Sequence, residues 1–114
     1  MGVTPIDLYR SGNNTSPKLD NVRISGTNSD VDTFVDAANT VWVLANGKGV
    51  SSSDAIDPSW SGKPWRLPMG SPFPDGLRLW EDDPGHYVWE PAMPMPLANY
   101  VSFLAQVMPL FVKV

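Results

Sequence analysis

The sequence has no cysteine and only one histidine among its 114 residues. Without cysteine there is no disulfide framework, no thiolate nucleophile and no zinc-finger ligand set. A single histidine also argues against a transition-metal site, so we expect no bound metal. Any chemistry therefore has to come from hydroxyls, carboxylates, arginine, tyrosine or His86.

Long apolar runs are missing as well. The longest, residues 41–45, is far shorter than the roughly 20 residues that span a bilayer, and no secretory signal pattern opens the chain. Eight basic and twelve acidic residues give a net charge of −4, which disfavours a protein that coats nucleic acid. We expect one domain over residues 1–114 that acts in a cytoplasm, with neither a membrane nor a nucleic acid as partner.

Twelve prolines and nine glycines leave little room for long helices, because proline removes a backbone donor and fixes φ. Short segments of alternating or β-branched residues predict strands instead. The predicted strands are residues 5–10, 19–25 and 40–45, and a hairpin of 77–80 with 86–89. Residues 50–76 predict a long ordered loop, with a short strand at 65–67, of the kind that builds a site.

Helical spacing occurs twice. Residues 30–38 predict one short helix, with Val31, Phe34 and Val35 on one face. Pro96 to Met108 predicts a clearer amphipathic helix, followed by a closing strand or tail. The sequence therefore indicates an α+β fold in which a mixed β core of short strands is joined by one or two short helices and a C-terminal amphipathic helix.

Familiar catalytic motifs are absent, since there is no Walker A loop and no Rossmann glycine fingerprint. A Ser-His-Asp hydrolase with His86 as base stays open but unspecific, because any of many serines would serve. The remaining polar groups are Arg10 at a strand end, the run Ser51-Ser52-Ser53-Asp54, and the pair His86-Tyr87. Each also has a plain interpretation: a surface cation paired with an acid, a solvated loop, and a structural histidine.

Four short sequence segments follow one another across nearly the whole chain. They are Leu8-Tyr9-Arg10, the segment Gly49 to Asp54, Leu67-Pro68-x-Gly70 with Pro74 and Leu77, and His86-Tyr87-x-x-x-Pro91-Ala92-x-Pro94-Met95. In this order and spacing the chain resembles a family of small NAD-dependent toxins that bacteria export by type VI secretion. Members of this family have an ADP-ribosyltransferase-like fold, and relatives occur in fungi.

The resemblance implies roles for particular residues. Arg10 would hold an NAD phosphate or the nicotinamide ribose, and Ser51 or Ser52 would support the nicotinamide side. His86 and Tyr87 match the family's His-Tyr pair and would contact ribose or stack on a ring. Glu90 is the nearest candidate for the glutamate that steadies the transition state, with Glu81 second, although no standard Glu-x-Glu is present. Four tryptophans offer stacking platforms or core packing: Trp42, Trp60, Trp65 and Trp80.

By this resemblance the chain would be a toxin that cleaves the nicotinamide–ribose bond of NAD. It would transfer ADP-ribose to an unknown acceptor or deplete the cofactor, and an immunity or antitoxin protein would neutralise it. The alternative is a noncatalytic interaction module with aromatic and proline-rich binding loops. An RNA-directed toxin would need a basic stripe of Lys63, Arg66 and Arg78. The toxin hypothesis requires Arg10, the serines and His86-Tyr87 to line one cleft near solvent.

Overall fold

A computed structural model describes all residues, 1–114. It contains eleven strands, one α-helix and one 3₁₀ turn. The strands are β1 (Gly2–Val3), β2 (Leu8–Gly12), β3 (Thr33–Val35), β4 (Val41–Val43), β5 (Val50–Ser53), β6 (Lys63–Leu67), β7 (Pro72–Phe73), β8 (Leu77–Asp83), β9 (His86–Pro91), β10 (Met95–Pro96) and β11 (Val112–Lys113). The helix α1 is Leu97–Val107, and the 3₁₀ turn Met108–Leu110 follows it. No helix has the length and hydropathy of a membrane span.

The main sheet has six antiparallel strands in the order β11-β6-β2-β5-β9-β8, and two smaller sheets, β1-β7 and β10-β4-β3, lie outside it. The weakest strand pairing is at the centre of this sheet, between β2 and β5, and we call this boundary the central seam. β2 runs along β6 over its whole length, and β5 runs along β9, but β2 and β5 share only the pair Tyr9 with Ser53. The two halves of the sheet are therefore joined at one position, and the strands on either side of the seam are free to border a cleft.

The hydrophobic core joins the main sheet to α1. Its cluster includes Leu8, Val50 and Trp89 from the sheet and Tyr100 and Leu104 from the helix, all fully buried. The Tyr100 hydroxyl donates to the Trp89 carbonyl at 2.5 Å and accepts from the Val50 amide at 3.1 Å. This one side chain therefore ties α1 to both β5 and β9.

Gly49 is required where the chain enters β5, because a Cβ there would collide with the Trp89 carbonyl and the Glu90 amide. We expect Gly49→Ala to lower the free energy of unfolding by about 2 kcal/mol, since an added methyl group has to displace backbone. Urea denaturation measures this. The control is Gly26→Ala, at φ 83° with open space around the site, which carries only the left-handed penalty of about 1 kcal/mol. Equal losses in the two variants would contradict the steric explanation.

The structure confirms the α+β class and the elements with strong local signals. The hairpin predicted at 77–80 and 86–89 is β8–β9, and the strand predicted at 40–45 contains β4. The C-terminal helix and the closing strand are α1 and β11. The short strand at 65–67 lies within β6, and the first strand is shifted toward its C-terminal end, as β2.

The prediction of an additional short helix at residues 30–38 was wrong. Residues 33–35 form β3, which pairs with β4 in a hairpin. The Asp36 carboxylate accepts from the amides of Ala38 and Thr40 and from the indole of Trp42, and Asn39 takes a left-handed φ of 63°. This turn chemistry competes with helix continuation, because the aspartate oxygens supply the amides with acceptors that a helix would have offered along its axis.

Two further predictions need correction. Residues 19–25 form turns and irregular chain rather than a strand, with Leu19 buried and the Arg23 amide donating to Asp30. The long loop predicted over 50–76 contains β5, β6 and β7. The serine-rich β5 has little strand propensity of its own, so its ladder with β9 imposes the strand.

Candidate functional site

A cleft lies along the central seam between β2 and β5. Its larger lobe has a volume of about 710 Å³ and is bordered by β2, β5 and the loops around residues 13–23 and 57–62. A smaller lobe of about 280 Å³ reaches toward the turn at 47–49. Arg23, Ser51 and His86 line both lobes. The two lobes therefore adjoin, and the larger has the size of a typical small-molecule pocket.

Arg10 bridges the seam. Its guanidinium donates to three backbone carbonyls: Ser51 at 2.7 Å, Pro17 at 3.0 Å and Lys18 at 3.1 Å. Burial lowers the pKa of Arg10, and the nearby Asp30 partly offsets this effect, yet an arginine stays charged in proteins. Of its five N–H donors, three are used within the chain, which leaves two for a ligand. Arg10 is half-buried, lines the cleft and bonds to the Ser51 carbonyl, so that it holds β2 to β5.

The larger lobe is cationic although the chain carries a net charge of −4. Arg10, Lys18 and Arg23 line it against one carboxylate, that of Asp57. The Arg23 side chain is 61% exposed, and its Nη2 lies 3.0 Å from Oδ1 of the buried Asp30. Hydrogen bonding to Asp30 raises the pKa of Arg23. The larger lobe therefore carries an excess of positive charge, of the kind that attracts an anionic ligand.

The alternation of β5 separates its serines. Ser51 lines both lobes and its hydroxyl makes no hydrogen bond within the chain, whereas its carbonyl accepts from Arg10. Ser52 borders the larger lobe but is only 2% exposed, and its hydroxyl accepts from the Trp89 indole at 3.1 Å. Ser51 is therefore the serine with a hydroxyl available to a ligand, and Ser52 supports the core.

His86 stands where the two lobes meet, at the start of β9. Its Nδ1 lies 2.5 Å from Oδ1 of Asp82 at the end of the preceding strand. Asp82 lines the smaller lobe only. Arg10, Ser51 and His86, which come from three distant stretches of chain, thus border the same cleft.

Tyr87 and Glu90 are not brought to the cleft. Tyr87 packs against the edge of the core, where burial raises the pKa of its hydroxyl, with Glu81 and Asp54 adding to the effect. Glu90 is buried, and its carboxylate accepts from the Gly47 amide at 2.5 Å and from Arg78 at 2.9 Å. The second acidic candidate, Glu81, accepts from the Gly85 amide in the β8–β9 turn.

Several lining residues were missed in the sequence. Lys18, Arg23 and Asp57 lie in irregular loops, where no periodicity or motif marks them. Lys18 adopts a left-handed φ of 59°, which is uncommon outside glycine and helps to turn its carbonyl toward Arg10. The Asp57 carboxylate accepts from the Ser59 amide, and this bond lowers the pKa of Asp57.

Of the four tryptophans considered as stacking platforms, only Trp60 lines the cleft. Trp42 stacks on Phe34, Trp65 lies beneath Lys113, and Trp80 lies beneath Arg78. The residues of the suggested basic stripe do not form one, because Lys63 and Arg66 are on β6, and three strands separate it from β8, which carries Arg78. Nowhere do three or more His, Asp or Glu side chains gather as metal ligands.

Comparison with known proteins identifies the family of the chain. No curated protein and no solved structure matches it. A family model described as Tse2 ADP-ribosyltransferase toxin matches residues 6–111, from just before β2 to the end of the 3₁₀ turn. The matched range includes the central seam, both lobes of the cleft and α1. The chain therefore belongs to the Tse2 ADP-ribosyltransferase toxin family.

Proposed function

We propose that this chain is a toxin that binds NAD in the cleft, breaks the bond between nicotinamide and ribose, and passes ADP-ribose to an acceptor or to water. The observation that carries the proposal is the convergence of Arg10, Ser51 and His86 on one cationic cleft. Membership of the Tse2 ADP-ribosyltransferase toxin family supports the same reaction, because NAD is the donor that an ADP-ribosyltransferase requires.

The cationic lobe suits the pyrophosphate of NAD. The two N–H donors of Arg10 that are unused within the chain are available to phosphate oxygens, while Lys18 and Arg23 add charge on the neighbouring loop. The three carbonyls that hold Arg10 fix the direction of its guanidinium before the ligand arrives. Such preorganisation reduces the ordering cost of binding.

The remaining groups of the lobe suit the rings of NAD. The free hydroxyl of Ser51 is able both to donate to and to accept from the nicotinamide carboxamide. Trp60 and Tyr9, the two aromatic residues of the larger lobe besides His86, offer flat surfaces on which a base can stack. We assign Ser51 to the nicotinamide side because it also lines the smaller lobe, next to His86.

Asp57 is our candidate for the carboxylate that stabilises the positive charge on ribose as nicotinamide leaves. It is the only acidic residue of the larger lobe, and its hydrogen bond from Ser59 keeps it ionised. A fixed negative charge at the developing oxocarbenium lowers the barrier electrostatically. Glu90 would instead act at a distance by holding the turn at Gly47, and Ser52 and Tyr87 by supporting β5 and β9.

We further propose that the toxin acts in the cytoplasm of a target cell and that the producing cell makes an immunity protein against it. The immunity protein follows from the family's toxicity, since a cell that makes an NAD-consuming enzyme has to restrain it. Growth arrest on expression in a bacterial cytoplasm, relieved by variants of the cleft, tests the toxic activity in a cell.

Ser51→Ala tests the proposed site with little risk to the fold, because the Ser51 hydroxyl has no partner in the chain. We expect nicotinamide release from NAD to fall about 10-fold, the equivalent of one lost hydrogen bond of roughly 1.4 kcal/mol, and growth to recover in part. Chromatography of released nicotinamide measures the rate. Ser25→Ala, at an exposed position outside the cleft, serves as control. Release by folded Ser51→Ala at the rate of the control would contradict the assignment.

A further inference from the structure

His86, whose Nδ1 is bonded to Asp82, stands at the junction of the two lobes. We propose that His86, held by Asp82, is the general base that removes the proton from the oxygen nucleophile that attacks ribose. The proposal rests on the proposed function, because it assigns a step in the cleavage of NAD. The nucleophile is a hydroxyl of the acceptor or a water molecule.

The hairpin β8–β9 sets the geometry of the pair. A bulge between Glu81 and Asp83 shifts the register just before the turn at Gly85, so that Asp82 and His86 lie side by side across the turn. With Nδ1 bonded to the aspartate, the neutral imidazole carries its proton on Nδ1 and presents Nε2 as an acceptor. The His86 side chain is 39% exposed and lines both lobes, and Nε2 is the ring nitrogen that makes no hydrogen bond within the chain.

The position of His86 and Asp82 assigns NAD, the donor of ADP-ribose, and the second substrate to different lobes of the cleft. His86 lines both lobes, whereas Asp82 lines only the smaller one, together with Lys48 and Asn28. The larger lobe, at about 710 Å³, has room for NAD; the smaller, at about 280 Å³, has room only for the reacting group of a second substrate. Arg23, Asp30 and Lys48 give the smaller lobe charges of both signs, as suits a polar nucleophile.

The step balances without a further reactant. The bond between C1′ of ribose and the nicotinamide nitrogen breaks, and its electron pair neutralises the pyridinium as nicotinamide leaves. The nucleophile's oxygen forms a bond to C1′, and its proton moves to Nε2 of His86. Asp82 stabilises the imidazolium that results, and His86 then returns the proton to solvent.

A serine hydrolase is the competing use of the same residues, because Ser53 pairs directly with His86 across β5 and β9. That mechanism needs a hydrogen bond from the serine hydroxyl to the imidazole. The structure has no such bond: the hydrogen bond of His86 is with Asp82. We therefore assign the proton that Nε2 accepts to a molecule bound in the cleft rather than to Ser53.

Asp82→Asn separates this role from a structural one. We expect nicotinamide release to fall at least 10-fold, while the affinity for NAD, measured by calorimetry, changes less than 2-fold. Because the chain has a single histidine, ¹⁵N NMR at alkaline pH reports its tautomer without ambiguity. We expect the proton on Nδ1 in the wild type and a shift toward Nε2 in the variant. Asp83→Asn, with the same charge change at an exposed neighbour, is expected to match the wild type in all three measurements.

The outcomes distinguish failure of the His86–Asp82 proposal from failure of the proposed function. Failure of the folded wild type to bind NAD would overturn the proposed function. Binding and cleavage by the wild type, together with undiminished release by Asp82→Asn, would overturn the role of the pair and leave the proposed function standing. His86→Gln provides the second variant and is expected to lose release as Asp82→Asn does. The product identifies the nucleophile: free ADP-ribose indicates water, and label transferred to an acceptor in a cell extract indicates a hydroxyl.

Discussion

Replacing Arg10 with lysine is expected to lower nicotinamide release from NAD by about 100-fold, a loss of roughly 2.7 kcal/mol in the transition state. Lysine keeps the charge but has one compact ammonium group with three donors. It cannot bond three diverging carbonyls, those of Ser51, Pro17 and Lys18, and still have two N–H donors left for a pyrophosphate. The rate is measured with purified protein at saturating NAD, and the dissociation constant by calorimetry.

Lysine is chosen over alanine because Arg10 also has a structural role. Alanine would remove the side-chain hydrogen bond that links β2 to β5, so a loss of activity would be ambiguous. Arg66→Lys, at an exposed position of β6 outside the cleft, is the matched control and should behave as the wild type. Full activity in folded Arg10→Lys would show that the fork of the guanidinium is not needed.

The second large effect is on stability, at Tyr100. We expect Tyr100→Phe to lower the free energy of unfolding by about 3 kcal/mol, because it leaves the Val50 amide and the Trp89 carbonyl without the hydroxyl that both contact in the core. Urea denaturation gives the value. Tyr9→Phe, on the open side of the same sheet, should cost less than about 0.5 kcal/mol. A similarly small loss at Tyr100 would contradict the idea that its hydroxyl ties α1 to the sheet.

Tyr100 also makes stability depend on pH. Burial raises the pKa of Tyr100 well above its ordinary value of 10, so the folded state retains a proton that the unfolded chain releases. Its contribution is fully present below pH 10 and falls above it, by up to about 1.4 kcal/mol per pH unit. The wild type should therefore lose stability faster than Tyr100→Phe as the pH rises beyond 10. Parallel curves for the two proteins would rule this linkage out.

The fold was predictable where local signals agree with tertiary contacts. The hairpin β8–β9 has alternating residues on both sides of an acidic turn with Gly85, and α1 has apolar residues at helical spacing after a proline. The signals misled at residues 30–38, where three apolar residues suggest a helix but Asp36 and Asn39 favour a tight turn. No local signal predicted β5, because its serines form a strand only by pairing with β9, which is distant in sequence.

The site was predictable only in part, for a similar reason. Arg10, Ser51 and His86 follow from resemblance to a known family and do lie together. The sequence does not show which way each strand residue faces, and this direction determines that Ser52 is buried. Arg10 is half-buried because β2 and β5 separate beyond the pair Tyr9 with Ser53, so that its side chain lies between them. Lys18, Arg23 and Asp57 come from loops that long-range contacts fold against the sheet, so no local pattern identifies them.

Calorimetric titration of NAD into the purified wild type determines whether the cationic cleft between β2 and β5 is a dinucleotide site. We expect one saturable site per chain, with an affinity that falls as salt screens Arg10, Lys18 and Arg23, and a matching loss of affinity in Arg10→Lys. A folded wild-type protein that gives no binding heat at any salt concentration would rule out a dinucleotide site in this cleft and favour a noncatalytic interaction module.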